Sequence, residues 1–364
     1  MKTKPLESVE ERVEEMMPSG IEYQLPEGWA AKFSAMEIRK ESPSSLVNFL
    51  TCPLKWFVER HSGMPPKDEI VMAALVGTFV HRVLEVFYSE PANLRTEDLL
   101  METFEVAWEE LTKGDGTDGI VPAEVMRDFE KLQSQVYQQD AQRGRFYKLA
   151  QDCLLATWDF DGDPAELEVL SNEGWIKGQQ GCVRITGRID RTIKGPGATE
   201  IIQDYKTGKA PTLEEDEDGK LIVDPLSPTF IPAGLYAWMR TRAQEAEGPD
   251  VEFLPLKVKS IQLLYLAHMK RFTLNVTPEL LHTMDTLVSE VVLAMDEVAD
   301  TGKIIAVPSK SEEEPPCRWC PIVSVCPAWS KETPEIAMED LEDFVAAKIS
   351  EKKKAQNGAK TTGR

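Results

Sequence analysis

The chain has 364 residues, of which 42% are hydrophobic, 8% aromatic and 28% charged. This is the composition of a soluble globular protein, and at about 150 residues per domain it allows one large domain or two small ones. No apolar run approaches the ~18 residues a membrane helix needs. The first 20 residues, rich in Glu7, Glu10, Glu11, Glu14 and Glu15, hold no signal-peptide h-region, so the expected location is the cytoplasm, with no membrane partner. A net charge of -21, from 41 basic and 62 acidic side chains, argues against a protein that coats nucleic acid nonspecifically.

In chain order, residues 1-41 mix Pro, Gly and Glu without a sustained period and read as an extension with one short helix at 6-17. Ser42-Pro43 offers an N-cap followed by proline at the first helical position, and that helix ends at Cys52-Pro53. A second helix covers about 70-89. Val76, Val80, Val83, Leu84 and Phe87 form its apolar stripe, while Gly77, His81 and Glu85 stand four apart on a neighbouring face. Residues 94-158 read as a helical insertion, broken at Gly114-Asp115-Gly116.

The period then changes to two. Val183, Ile185, Ile189 and Ile193 share one face of a strand, and Arg184, Thr186, Arg188, Asp190 and Thr192 the other. A turn around Gly197 leads into a second strand at 200-206, and a hairpin centred on Gly197 sets Asp190 opposite Asp204. Alternation puts Lys206 on the same face as Asp204. A helix near 231-244, a strand at 257-267 and an amphipathic helix at 277-301 follow. Pro308, Pro315 and Pro316 lead into Cys317, Cys320 and Cys326, whose close spacing in a reducing compartment reads as metal ligation rather than disulfide bonding. An acidic run at 214-218 and a basic one at 347-364, with Lys348, Lys352, Lys353, Lys354, Lys360 and Arg364, read as a solvated loop and tail.

Two acids on one face repel unless a cation or proton lies between them. With a lysine beside them, Asp190 and Asp204 are equipped for metal-assisted phosphodiester hydrolysis with Mg²⁺ or Mn²⁺, although Asp-x-Lys alone is equally the pattern of a surface ion pair. No Gly-x4-Gly-Lys-[Ser/Thr] phosphate loop occurs.

Taken together, Gly77-Thr78-Phe79-Val80-His81-Arg82-Val83-Leu84-Glu85, Gly187-Arg188-Ile189-Asp190-Arg191 and Asp204-Tyr205-Lys206-Thr207-Gly208-Lys209 resemble three motifs of the RecB-like branch of the PD-(D/E)xK nuclease superfamily. The likeness is particularly to CRISPR-associated and phage-borne exonucleases with an iron-sulfur cluster. It implies a mixed α/β, restriction-endonuclease-like core with a central mixed sheet flanked by helices, a helical insertion and a cluster subdomain. Residues 42-330 would form the nuclease domain and 331-364 a C-terminal helix and basic tail. Carried over by position, His81, Asp190, Asp204 and the Tyr205 carbonyl would hold the metal and Lys206 would assist the attacking water. Glu168 is an accessory candidate, and Arg188, Arg191, Lys206 and Lys209 are candidates for a basic channel. The family's glutamine four residues before a tyrosine is broken here: Tyr236 matches, but Pro232 stands in place of the glutamine.

Cys52 with the trio Cys317, Cys320 and Cys326 resembles the family's four-thiolate [4Fe-4S] site, with zinc as the lesser alternative. Cys153 and Cys182 read as plain buried thiols. The implied activity is a metal-dependent deoxyribonuclease, an exonuclease on single-stranded DNA in recombination, repair, replication or CRISPR-type processing, located in the host cytoplasm if phage-encoded. A helicase, an integrase or another recombination protein, or a second copy of the chain, are the implied partners. The competing expectation is a catalytically silent or partner-dependent DNA-binding adaptor with the same fold.

Overall fold

Residues 8-65, 71-114, 119-134, 139-215, 221-247, 257-311, 314-329 and 334-361 are described in the computed structural model. The chain divides into two units, Met1–Asp68 with Gly178–Thr186 and His282–Arg364, and Glu69–Lys177 with Gly187–Leu281. Among the described residues no helix is long and apolar enough to cross a membrane.

In the first unit the expected extension is structured beyond its short helix. It carries α1 (Val9–Met16), β1 (Ile21–Gln24), α2 (Glu27–Ser34) and β2 (Arg39–Glu41). β1 pairs antiparallel with a strand near the other end of the chain, from Ile21 opposite Ala306 to Gln24 opposite Lys303. Elements this short have too few residues for a visible period, so their partners decide them. Ser42 caps α3 (Pro43–Thr51) through a reciprocal pair with Ser45, as the Ser-Pro signal requires. Cys52 ends α3 and also caps α4 (Pro53–Arg60), because Pro53 cannot continue one helix but can open the next. Phe33, Phe49, Trp56, Phe57 and His61 pack edge to face around this corner.

In the second unit α5 (Met72–Ser89) buries its predicted stripe of Val76, Val80, Val83, Leu84 and Phe87. The helical insertion consists of α6 (Glu97–Lys113), α7 (Ala123–Ser134) and α8 (Gln139–Asp161), and Gly114 ends α6 in the left-handed region. Asp115 and Gly116 lie outside the described residues. These helices share one core with α5, including Phe79, Phe104, Phe129 and Phe146, and Tyr205 and Leu264 join it from the sheet.

The strands are β3 (Val169–Gln180), β4 (Val183–Lys194), β5 (Thr199–Lys206), β6 (Lys257–Tyr265) and β7 (Lys270–Asn275). Their order β4-β5-β6-β7 is antiparallel, then parallel, then antiparallel, which makes the sheet mixed. Arg39 to Glu41 of β2 also pair in parallel with Val183 to Ile185. α9 (Ile231–Glu247) packs on the sheet, and its Arg240 Nε lies 2.7 Å from Glu200 on β5. Glu200 and Asp204 have the same parity, so α9 lies toward the face that carries the acid. The fold class is the expected mixed α/β, with a mixed sheet flanked by helices.

The first unit is completed by α10 (Pro278–Thr301), β8 (Lys303–Ala306) and α11 (Pro334–Thr361). The expected basic tail is therefore helical as far as Thr361. The side chain of Lys360 and all of Arg364 lie outside the described residues, as do 216-218 of the acidic run.

Candidate active site

The β4–β5 hairpin turns at Gly197, whose φ of 67° is open to glycine at little cost. Arg191 pairs with Gln203, Thr192 with Ile202 and Ile193 with Ile201, a register whose next step sets Asp190 beside Asp204 as the sequence predicts. The Tyr205 amide donates to Asp190 Oδ2 at 2.7 Å and locks the two strands at that level.

α5 brings His81 to the same place. Its Nε2 lies 3.1 Å from the Tyr205 carbonyl oxygen. Nδ1 lies 3.4 Å from Asp190 Oδ1. Burial disfavours the charged ring, but Asp190, with Asp204 and Glu173 behind it, outweighs this and raises the His81 pKa to about 9. One turn earlier, Gly77 makes room for the third motif: a Cβ there would stand 2.9 Å from Thr207 Oγ1.

Lys206 Nζ lies 2.6 Å from Asp204 Oδ2, so acid and lysine meet as expected. Burial works against the ammonium, yet Asp204 and Asp190 more than offset it and raise its pKa. A lysine held charged in this way can orient a water or counter phosphate charge, but it is not a base. Burial raises the pKa of Asp204, Lys206 opposes the shift and Asp190 adds to it. The buried Oδ2 has the ion pair with Lys206 but no hydrogen bond of good geometry, which leaves it capacity for a cation.

The sequence reading missed Glu173. His81, Glu173 and Asp190 each offer a ligand atom, and these atoms lie within 4.8 Å of one another. Glu173 sits in β3 at φ 53°, a left-handed conformation that is strained for a residue with a side chain and is characteristic of sites where geometry is imposed. Burial, then repulsion from Asp190, pushes its pKa up to about 7, against the pull of Arg188 and His81. A set of one imidazole, carboxylate oxygens and a backbone carbonyl suits Mg²⁺ or Mn²⁺. A cleft of about 550 Å³ opens onto His81, Glu85, Glu173, Arg188 and Asp190.

Two candidates lie elsewhere. Glu168 precedes β3, and both its carboxylate oxygens bind Lys194 Nζ, at 3.0 and 2.8 Å, four residues beyond Asp190 on β4. Glu173, not Glu168, is the β3 acid that reaches the site. Arg191 is fully buried rather than in a basic channel, and it is held by Asp161 through two bonds of 2.7 Å and by Gln203 at 2.8 Å. Its parity with Ile189 and Ile193 explains this. Arg188 is half-exposed and tied to Glu173 at 2.7 Å and Glu85 at 3.0 Å, whereas Lys209 is exposed.

Tyr236 of α9 packs on Gly187, where a Cβ would come within 2.6 Å of the ring. Burial, then Asp204 and Asp190, raises the pKa of its hydroxyl, so it stays a donor. Pro232 falls in the first turn of α9, a position proline tolerates.

In the first unit Cys52, Cys317, Cys320 and Cys326 line one pocket with Leu54, Ile322, Val323 and Trp329, and all four are free thiols. Cys317 and Cys320 bracket a single 3₁₀ turn, and Cys326 ends another. The Val307 amide donates to Cys52 Sγ at 3.4 Å and the Ser309 amide to Cys317 Sγ at 3.3 Å. Burial pushes the thiol pKa of Cys320 up to about 12 and that of Cys326 to about 11. Among the described residues no three of the four sulfurs lie within 4.8 Å of one another. Cys153 is buried as expected. Cys182 is half-buried, its thiol 3.0 Å from Asp296 Oδ1 and 2.8 Å from Arg39 Nη1.

No curated protein sequence matches the chain at a significant level. A crystal structure from Eubacterium rectale, described as a "Putative exonuclease", is similar at 15% identity with a TM-score of 0.43, over 81% of this chain and 92% of that one. The family model of the PD-(D/E)XK nuclease superfamily matches residues 40-327, a span that contains His81, Asp190, Asp204, Lys206 and all four clustered cysteines. Nucleases of this superfamily use divalent metals, and the chain belongs to it.

Proposed function

We propose that the protein is a Mg²⁺- or Mn²⁺-dependent deoxyribonuclease of the RecB-like branch, which removes nucleotides from the ends of single-stranded DNA during recombination, repair, replication or CRISPR-type processing. The observation that carries this reading is the convergence of His81, Asp190 and the Tyr205 carbonyl with the Asp204–Lys206 pair at one level of the β4–β5 hairpin.

His81, Asp190, the Tyr205 carbonyl and Asp204 would hold the cation, with Glu173 beside them. The bound cation supplies Lewis-acid polarisation of the phosphate and lowers the pKa of water. The chain's own groups do the rest. Lys206, fixed as an ammonium by Asp204, orients the attacking water and counters charge on the phosphate as the new P–O bond forms. As the P–O bond to the leaving sugar oxygen breaks, that oxygen takes a proton from solvent in the open cleft, and the water's proton leaves through the carboxylate cluster. Tyr236 donates to the same region.

The four cysteines support a [4Fe-4S] cluster in the first unit. Because Cys52 is 265 residues from Cys317 in the chain, such a centre would act as a clamp whose binding energy is folding energy. A helicase or integrase that delivers strands is the implied kind of partner. Release of nucleotides from end-labelled DNA, compared with Mg²⁺, Mn²⁺ and EDTA, tests the activity. An inert protein that still binds DNA would favour the adaptor.

A further inference from the structure

Trp175 is 75% exposed, more than any other large apolar side chain among the described residues, and it makes no ring or hydrogen-bond contact there. Single exposed apolar residues are ordinary, although tryptophan is usually well buried. The position of this one is what matters. It stands on β3 two residues after Glu173, about 6.6 Å along the strand, a distance comparable to one nucleotide of an extended chain.

β3 pairs only with β4 among the described strands, and counting back from the two-residue turn at 181-182 sets Trp175 across from Arg188. Arg188 in turn binds Glu173 at 2.7 Å and Glu85 at 3.0 Å. The order along this surface is thus indole, guanidinium, metal-site acid.

The cleft itself is a poor phosphate trap. Glu85, Glu173 and Asp190 line it, two of them already occupy Arg188, and the chain carries a net charge of -21. A polyanion drawn into such a site needs affinity that does not depend on charge, and base–aromatic stacking supplies it. Only an unpaired base can be offered to the indole, since duplex bases are already stacked on their neighbours. We propose that Trp175 is the stacking platform for a base of single-stranded DNA next to the nucleotide being cut, and that it sets a preference for single strands over duplex. This rests on the nuclease reading above.

Fluorescence polarisation with a labelled single-stranded oligonucleotide and the matching blunt duplex, in EDTA so that binding is separated from cleavage, tests the proposal. Trp175→Ala should weaken single-strand binding about ten-fold or more, Trp175→Phe should retain most of it, and duplex binding should change less than about two-fold. An abasic nucleotide walked along the strand should cost the wild type affinity at one position and cost Trp175→Ala nothing there. Unaltered thermal melting would show that the exposed substitution leaves the fold intact. Equal single-strand affinity in Trp175→Ala, an equal loss on duplex, or a Phe variant as weak as the Ala variant would overturn the inference. A wild type that cleaves while Trp175→Ala binds normally sinks this inference alone. A wild type that shows the Trp175-dependent binding but never cleaves sinks the nuclease reading alone.

Discussion

Glu173 and Asp190 come from different strands and place carboxylate oxygens within one cation-sized group with His81, although no sequence motif joins them. Burial, and then repulsion from Asp190, pushes the Glu173 pKa up to about 7. A divalent cation would relieve that repulsion.

Glu173→Gln should therefore weaken Mn²⁺ binding at least about ten-fold, as measured by calorimetry on the metal-free protein. Glu168→Gln, whose carboxylate serves Lys194, should bind Mn²⁺ as the wild type does. Equal affinities in all three proteins would remove Glu173 from the site.

Arg191 and Asp161 form a fully buried, two-bond ion pair under the Tyr88 ring. Arg191→Ala strands Asp161 without its partner and should cost ~3–5 kcal/mol in a denaturant titration. Arg191→Met with Asp161→Leu should recover much of the loss, since replacing both charges leaves neither unpaired. A single variant as stable as wild type would contradict this assignment.

In the first unit the Glu41 carboxylate is out of solvent and meets Ser45, Trp56 and His61. Burial works to raise its pKa, but His61, Ser45 and Trp56 prevail and lower it. A depressed carboxylate contributes stability that is present above its ordinary pKa and is lost as pH falls through its folded value. Glu41→Gln should be about 2 kcal/mol less stable near pH 7, with the gap closing in acid below the ordinary carboxylate range. A gap that does not change with pH would mean that packing, not charge, holds this corner.

If the proposed cluster is present, Cys52→Ser should lose iron and thermal stability together, because it would remove one of the four thiolates that would tie α3 and α4 to the chain's C-terminal turns. Cys153→Ser, in a different core, should lose neither. Full iron content in anaerobically prepared Cys52→Ser, or stoichiometric zinc in a colourless wild type, would rule out the cluster.

The acid face of the hairpin was readable because Gly197 fixes the turn and a period of two carries the count to Asp190 and Asp204. The same count from the turn at 181-182 reaches Glu173 opposite Asp190, so that residue had a signal too, but its φ of 53° is an irregularity that a period of two does not reveal. Arg191 likewise shares its parity with Ile189 and Ile193, which places it inside. β1, β2 and β8 span three or four residues and owe their existence to distant partners, such as Ala306 for Ile21 and Val183 for Arg39, which no local pattern can reveal.

The most direct test of the account is cleavage of end-labelled single-stranded DNA by wild type, Asp204→Asn and Lys206→Ala with Mg²⁺ or Mn²⁺. The wild type should release nucleotides with either metal and none in EDTA, and each variant should lose at least about 100-fold in rate while binding the strand within a few-fold of wild type. Undiminished cleavage by either variant, or cleavage by the wild type that persists in EDTA, would contradict the site built from His81, Asp190, Asp204 and Lys206.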